Sequence, residues 1–227
     1  MTEQSFIRLY GYAILPNIFP DHEISEVADV ISQSQLKRSR AGARHLLSVP
    51  GVCKVAEDLR LLSIAREVLG QAAIPFRATL FDKSPSSNWL VAWHQDTALP
   101  LVKRTEQPGW GPWSIKEGIT YAHAPRAALE QVLALRVHLD DSESANGPLR
   151  VIPETHCGGV LSDSEIQKRA STAQDVECTV ARGGLIAMRP LIIHASSKAE
   201  SDAARRVLHI EYASRIEISN ELRLATV

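Results

Sequence analysis

Residues Val132–Asp140 read VLALRVHLD, and the alternation in that stretch decides the fold class. Successive side chains of a strand point to opposite faces, so Leu133, Leu135, Val137 and Leu139 share one face and Ala134, Arg136, His138 and Asp140 the other. One face is continuously apolar, and the polar one looks either to solvent or into a polar barrel interior. The turn that follows, DDSESANGP, carries Asn146-Gly147, a pair suited to positive φ.

The same strand character recurs on both sides of this segment. FRATLFD (76–82), NWLVAWH (88–94), LRVIP (149–153), ECTVA (177–181), GLIAMRP (184–190) and RRVLHIEYA (205–213) are short runs rich in β-branched and aromatic residues, separated by turn formers. Two packed sheets or a barrel is the architecture they imply. The first third of the chain is mixed. IRLYGYAIL (7–15) predicts a strand, Asp21 offers an N-cap for a helix with Ile24, Val27, Ala28 and Ile31 on one face, and a second helix is expected over about Val52–Leu69, ended by Gly70. These helices, about 21–70, are expected to brace a β core of about 75–215. Between them and the later strands, Thr97 to about Gln131 is too rich in Pro and Gly for an ordinary connection and predicts an active-site lid. A short surface helix is expected around 162–174. No repeat or flexible linker divides the 227 residues, so one domain spanning 1–227 is expected.

Composition excludes several classes. The 25 basic and 26 acidic residues lie without a long single-sign run, so neither nucleic acid nor an anionic membrane is expected as a partner. No stretch has the apolar length needed to span a bilayer, and MTEQSFIRLY lacks the pattern of an export signal, which predicts a cytoplasmic protein. Cys53, Cys157 and Cys178 are odd in number and lack CxxC spacing, so buried thiols are expected rather than disulfides or a zinc cluster.

The chemistry concentrates in two places. In WHQDTAL (93–99), His94 and Asp96 stand at i and i+2, on one face of an extended chain and near enough to reach one ion; Gln95 points the other way, toward packing or solvent. Alone, the pair reads more readily as a polar strand end at the surface than as a metal site. Far downstream, RGGLIAMRPLIIHASSKAESDAARRVLHIEYA (182–213) ends an apolar run on His194 and places Arg205 eleven residues later. Two His and one carboxylate leave coordination positions open, as in non-haem Fe(II) oxygenases that admit a keto acid and dioxygen, and an Arg beyond the distal His supplies a fork for the keto acid's free carboxylate.

Four blocks, NWLVAWHQD, RVHLDDSESANGPLRVIPETH, GGLIAMRPLIIHASS and ARRVLHIEYA, resemble in order those of the phytanoyl-CoA dioxygenase-like family of Fe(II)/2-oxoglutarate-dependent oxygenases. The resemblance runs from about Arg77 to Tyr212 and more weakly into the N-terminal helices. It implies a mainly β double-stranded β-helix (jelly roll, cupin-like) with flanking α-helices, one Fe(II), 2-oxoglutarate and O2 as cosubstrates, and release of succinate and CO2. By the same resemblance the iron ligands are His94, Asp96 and His194, and Arg205 with Ser196 binds 2-oxoglutarate. Arg206 is the alternative; on strand alternation Arg205 shares its face with Val207 and His209, whereas Arg206 shares the apolar face of Leu208, Ile210 and Tyr212. Related halogenases lack the carboxylate that Asp96 supplies, so an oxygenase outcome such as hydroxylation, desaturation or ring closure is implied.

Further candidates are weighed against plainer roles. Asn88 reaches the keto acid's C1 carboxylate or sits in a turn, and Lys83 serves cosubstrate or substrate or ends a strand in solvent. Arg136 and His138 line a cavity or form an internal network. Trp110, Trp113 and Lys116, in the loop where the family places substrate contacts, together with Arg40, Arg44 and His45 of SRAGARHLLSV, are candidates for a polar or anionic small-molecule substrate; the two Trp serve equally to pin the loop. His156, in PETH, departs from the family's Gly-Ser-His run and is expected to be structural. The rival functions are a zinc-dependent hydrolase using the same three ligands and a non-catalytic jelly-roll binding domain. Oligomeric state is open.

Overall fold

The computed structural model describes residues 2–39, 42–84 and 87–227. Helix α1 (Glu3–Tyr10) leads into β1 (Tyr12–Leu15), then α2 (Asp21–Gln33), a two-rung ladder of β2 (Arg38–Ser39) and β3 (Gly42–Ala43), and helices α3 (Pro50–Ala56) and α4 (Leu59–Leu69). The core strands start with β4 (Ile74–Lys83) and β5 (Val91–His94); β6 (Ala98–Leu101), β7 (Trp113–Lys116), β8 (Ile119–His123) and helix α5 (Arg126–Leu129) follow. Then come β9 (Val132–His138), β10 (Leu149–Ile152), α6 (Asp163–Ala170), β11 (Val176–Cys178), β12 (Leu185–Met188), β13 (Ile193–Ser196), β14 (Arg205–Ala213) and a hairpin of β15 (Glu217–Ser219) and β16 (Leu222–Arg223).

A seven-stranded sheet, β1-β12-β9-β14-β4-β3-β2, faces a four-stranded one, β11-β10-β13-β5, as in a jelly roll. The alternation of β9 explains the layering. Leu133, Leu135, Val137 and Leu139 pack outward, with Leu208, Ile210 and Tyr212 of β14, under an apolar layer supplied by α2, α3 and α4. Arg136 and His138 turn inward and are 7% and 1% exposed, so the polar face of this strand is the barrel interior, not solvent. Ala134, Ile186 and Met188 of the large sheet meet Leu149, Val151 and Cys178 of the small one between the layers. Burying such a face contributes roughly 1.5–3 kcal/mol per large aliphatic side chain, and both faces of the central strands are buried.

Several elements differ from the sequence reading. Ile7–Leu15 is not one strand: Thr2 caps a helix by accepting from the Ser5 amide, and Gly11, at φ 85°, ends it, so only Tyr12–Leu15 is extended. The N-cap of α2 is Pro20, with Asp21 in the first turn. The helix expected over 52–69 is two, because Asp58 adopts extended backbone (φ −60°, ψ 135°) and its carboxylate accepts the Arg60 amide, starting α4 afresh; Gly70 ends it as expected. The stretch 97–131 is a three-stranded sheet, β6-β8-β7, plus α5, rather than an irregular loop. Its strands are short and each carries a Pro or Gly neighbour, which hid them. The surface helix is α6, opened by a Ser162–Glu165 capping box. Of the three cysteines only Cys178 is buried; Cys53 is half-buried and Cys157 exposed, and all are free thiols. Among the described residues no helix is long and apolar enough to cross a membrane.

Candidate metal centre

His94 closes β5 and His194 lies in β13, and the two are direct partners in the antiparallel pairing of those strands. Their rings lie 4.2 Å apart between centroids. Nδ1 of His94 is 2.8 Å from the Ala92 carbonyl and Nδ1 of His194 is 2.9 Å from the Ile192 carbonyl. A carbonyl only accepts, so each Nδ1 carries the proton and each Nε2 presents its lone pair. Asp96, one step beyond β5, is fixed by its amide donating to Pro190 O at 2.9 Å. Its Oδ1 stands 3.6 Å from His94 Nε2 and its Oδ2 3.5 Å from His194 Nε2. Two ligand atoms each about 2.1 Å from one ion, at angles of roughly 90–120°, are separated by about 3.0–3.6 Å. One ligand atom from each of the three residues lies within 4.8 Å of the others, so the donor set fits a divalent ion.

Electrostatics agree with that fit. Burial lowers the His194 pKa to about 4, leaving it neutral at pH 7, as a ligand must be. Burial alone would raise Asp96, but the His194 and His94 imidazoles outweigh it and hold the carboxyl well below its ordinary value. For His94 burial is likewise opposed and outweighed, here by the hydrogen bond and charge of Asp96, and its pKa is raised.

Gln95, between His94 and Asp96, anchors the strand end. It is buried, its Nε2 donates to Gly159 O at 2.9 Å and Leu191 O at 2.7 Å, and its Oε1 accepts from Leu161 N at 2.9 Å. Three backbone segments are thereby tied behind the metal-facing side of the strand end.

The cavity at the triad, about 70 Å³, is lined by Phe81, Trp89, Arg136, Ser196 and Arg205 besides the three ligands. Arg205 faces inward as the alternation of its strand predicts, whereas Arg206 turns outward and pairs with Asp140 at 2.7 Å. Ser196 Oγ is a hub: it accepts from Lys83 Nζ at 2.9 Å and from Arg205 Nη2 at 3.3 Å, and donates to Gly147 O at 2.8 Å. Lys83 is 1% exposed, and burial, then repulsion from Arg205, brings its pKa down to about 8. Gly147, at φ 68°, has no room for a side chain: a Cβ there would stand 2.4 Å from Ser197 O and 3.1 Å from Lys83 Nζ. Across the large sheet, Arg136 Nη1 donates to His209 Nδ1 at 3.0 Å, while its Nε has no partner. His209 Nε2 is 3.8 Å from Glu211, which pairs with Arg77.

The remaining candidates divide. Asn88 precedes β5 rather than lying on it, and its amide is spent on Ala199, donating to the carbonyl and accepting from the amide at 2.8 Å each, so it does not face the cavity. Trp110 is 8% exposed in a cluster with Leu99, Leu101, Leu129, Leu222 and Leu224, and Trp113 packs on that cluster with its Nε1 donating to Glu106; both pin the small sheet. Lys116 and Arg44 do converge. Lys116 Nζ lies 4.9 Å from the Tyr121 ring centre, and Arg44 Nη1 is 3.8 Å from Glu117, next in sequence to Lys116. Arg40 lies outside the described residues. His156 contacts Arg8 O at 3.2 Å and holds a loop against α1. Sequence reasoning missed Arg77, Phe81 and Tyr121, although Arg77, Thr79, Phe81 and Lys83 alternate along β4 and the period-2 pattern could have found them.

A profile of the phytanoyl-CoA dioxygenase (PhyH) family matches residues 7–207. The chain belongs to that family. Among solved structures, AviO1 from Streptomyces viridochromogenes Tue57 superposes with a TM-score of 0.68 at 19% identity, covering 93% of each chain. HygX from Streptomyces hygroscopicus, with nickel and 2-oxoglutarate bound, gives 0.69 at 15% identity, covering 94% of this chain and 87% of its own. EctD from S. alaskensis, with 2-oxoglutarate and 5-hydroxyectoine, gives 0.70 at 18%, covering 94% and 75%. These likenesses establish the shared jelly-roll fold. No curated protein sequence gives a match.

Proposed function

We propose that this phytanoyl-CoA dioxygenase-family chain is a non-haem Fe(II)- and 2-oxoglutarate-dependent dioxygenase that oxidises a small molecule, most simply by hydroxylation, with release of succinate and CO2. The observation that carries the reading is that one cavity is lined both by the His94–Asp96–His194 donor set and by Arg205 with Ser196, to whose hydroxyl the buried Lys83 donates. A hydrolase built on the same three ligands has no use for two buried cations beyond the distal histidine. HygX, which shares the fold, has nickel and 2-oxoglutarate bound.

Bound at the triad, Fe(II) would supply the redox chemistry that couples O2 and 2-oxoglutarate to oxidation of a C–H bond. The chain's own groups do the rest. His94 and His194 are oriented through their Nδ1 protons, which leaves each Nε2 lone pair to the ion, and Asp96 adds the one negative charge. Arg205 donates to the distal carboxylate of 2-oxoglutarate, and Lys83 adds a second positive charge beside it, both turning from Ser196 Oγ toward a better acceptor. Gln95 keeps the ligand-bearing strand end in place, and Phe81 with Trp89 excludes water from the cavity.

The test is succinate formation from 2-oxoglutarate by Fe(II)-loaded protein supplied with fractionated metabolite extract. Succinate produced in step with O2 uptake, and lost in His194→Ala, is expected. Succinate formation that survives His194→Ala, or O2 uptake with 2-oxoglutarate left intact, overturns the proposal.

A further inference from the structure

The charges around the triad do not balance. Arg77, Lys83, Arg136 and Arg205 project into the barrel interior against two carboxylates, Asp96 and Glu211, which leaves 4 − 2 = +2. Burial keeps the interior imidazoles His138 and His209 below their ordinary pKa, so they add no charge to this count. A divalent ion adds two positive charges and the 2-oxoglutarate dianion removes two, so the loaded centre keeps its surplus of about +2. An uncompensated buried charge is costly, and a ligand of opposite sign relieves it.

Further positive charge lies away from the 2-oxoglutarate side. A second cavity, of about 120 Å³, is lined by Arg44, Arg77, Thr79, Phe81, Asp96 and His209 and shares Phe81 and Asp96 with the triad cavity. Arg205 and Lys83 do not reach it. Arg77, which lines it, has its Cζ 5.8 Å from the Tyr121 ring centre; Lys116 Nζ lies 4.9 Å from the same centre, and the Tyr121 hydroxyl is 3.0 Å from His45 Nε2. Glu117 lies 3.8 Å from Arg44 and from His45, Arg77 pairs with Glu211, and Asp96 lines the cavity; among the described residues no carboxylate pairs with Lys116. Burial and the neighbouring Arg44 and Arg77 lower the Lys116 pKa, as mutual repulsion in an unfilled anion site would.

We propose that this second cavity is the substrate site and that the substrate carries a carboxylate or phosphate group held among Arg44, Arg77 and Lys116. The inference rests on the reading of the triad as a metal centre. The Arg44 fork, the Nη2 edge that Arg77 leaves beyond Glu211 and Ala98, and an ammonium suit a planar or tetrahedral oxyanion. Because Asp96 forms a wall of both cavities, an occupant anchored there lies beside the metal ligands while 2-oxoglutarate occupies the Arg205 side.

The experiment titrates inorganic phosphate and, separately, acetate into protein saturated with Ni(II) and 2-oxoglutarate, following heat and melting temperature at constant ionic strength. One equivalent of at least one anion is expected to bind and raise the melting temperature, with affinity at least tenfold weaker in Arg44→Ala/Lys116→Ala; the preferred anion distinguishes a phosphorylated from a carboxylate substrate. Failure of both anions to bind the loaded protein, or equal affinity in the double variant, overturns the inference. Absence of Ni(II)-dependent 2-oxoglutarate binding is a different failure, that of the metal-centre reading. As a second readout, an extract split on an anion exchanger is expected to stimulate succinate release from the retained fraction; stimulation from the flow-through instead refutes an anionic substrate.

Discussion

Lys83 yields the most quantitative expectation. With a pKa of about 8 in the empty site and an ordinary value of 10.5, it is protonated at pH 7 and neutral at pH 9 until a carboxylate arrives beside it. Restoration of the ordinary value on binding means that a proton is taken up with 2-oxoglutarate above pH 8, and affinity falls tenfold per pH unit from there. Between pH 7 and 9 the Kd is therefore expected to rise about tenfold, the weakening being bounded at roughly 300-fold by the 2.5-unit gap. The charged groups nearest are Arg205, which stays protonated at a pKa of about 10, and no carboxylate; Trp89 packs over the ammonium. His194, at about 4, does not titrate in this range. Calorimetric titration of 2-oxoglutarate into Ni(II)-saturated protein at pH 7, 8 and 9 reads the slope directly. Lys83→Met, close in volume, should bind more weakly at pH 7 and lose the slope. A wild-type Kd flat from pH 7 to 9, or the same slope in Lys83→Met, would refute the assignment. Apo-protein stability moves the opposite way with pH: burying the protonated amine costs stability below pH 8, and the cost fades between about 8 and 10.5, so the apo protein should melt no lower at pH 9 than at pH 7 as far as Lys83 is concerned.

Other outcomes follow from single contacts. Arg205→Ala should weaken 2-oxoglutarate by roughly 30-fold or more, about 2–5 kcal/mol for a buried charge-assisted partner, whereas Arg206→Ala, which breaks a half-exposed pair with Asp140, should leave that Kd unchanged and cost about 1 kcal/mol of stability by chemical denaturation. Gln95→Ala strands two carbonyls and an amide, so it should lower unfolding free energy by about 2–4 kcal/mol and weaken Ni(II) binding; metal affinity equal to wild type would show that Gln95 does not position the ligands. Trp110→Ala should cost about 3–5 kcal/mol in stability with little change in 2-oxoglutarate Kd, the opposite of what a substrate-contacting tryptophan in the cavity would give.

Much of the site was legible because a strand has an integer period. The inward face of β14 could be read from RRVLHIEYA, and with it the choice of Arg205 over Arg206; His94 and Asp96 needed only the i, i+2 rule. What periodicity cannot give is pairing. That His94 meets His194 follows from the register of β5 on β13, and the Lys83–Ser196–Arg205 cluster from that of β4 on β14, contacts separated by about a hundred residues. Local capping was lost for a related reason. Ile7–Leu15 has strand-like composition, but Thr2 and Gly11 at its flanks close a helix over its first half. Asn88 failed because regular strand geometry was extended past Val91, where the chain bends to clip Ala199. The two tryptophans serve a different role because a Pro- and Gly-rich stretch folded into its own small sheet, with Trp110 in its core and Trp113 packed against it.

The central claim is that His94, Asp96 and His194 hold one divalent ion on which 2-oxoglutarate binding depends. Calorimetry of 2-oxoglutarate binding with and without one equivalent of Ni(II), in wild type and Asp96→Ala, tests it most directly. The account predicts one Ni(II) per chain, 2-oxoglutarate affinity raised at least tenfold by the metal, and loss of both in Asp96→Ala. Affinity for 2-oxoglutarate that ignores the metal, or Ni(II) binding undiminished in Asp96→Ala, would contradict it.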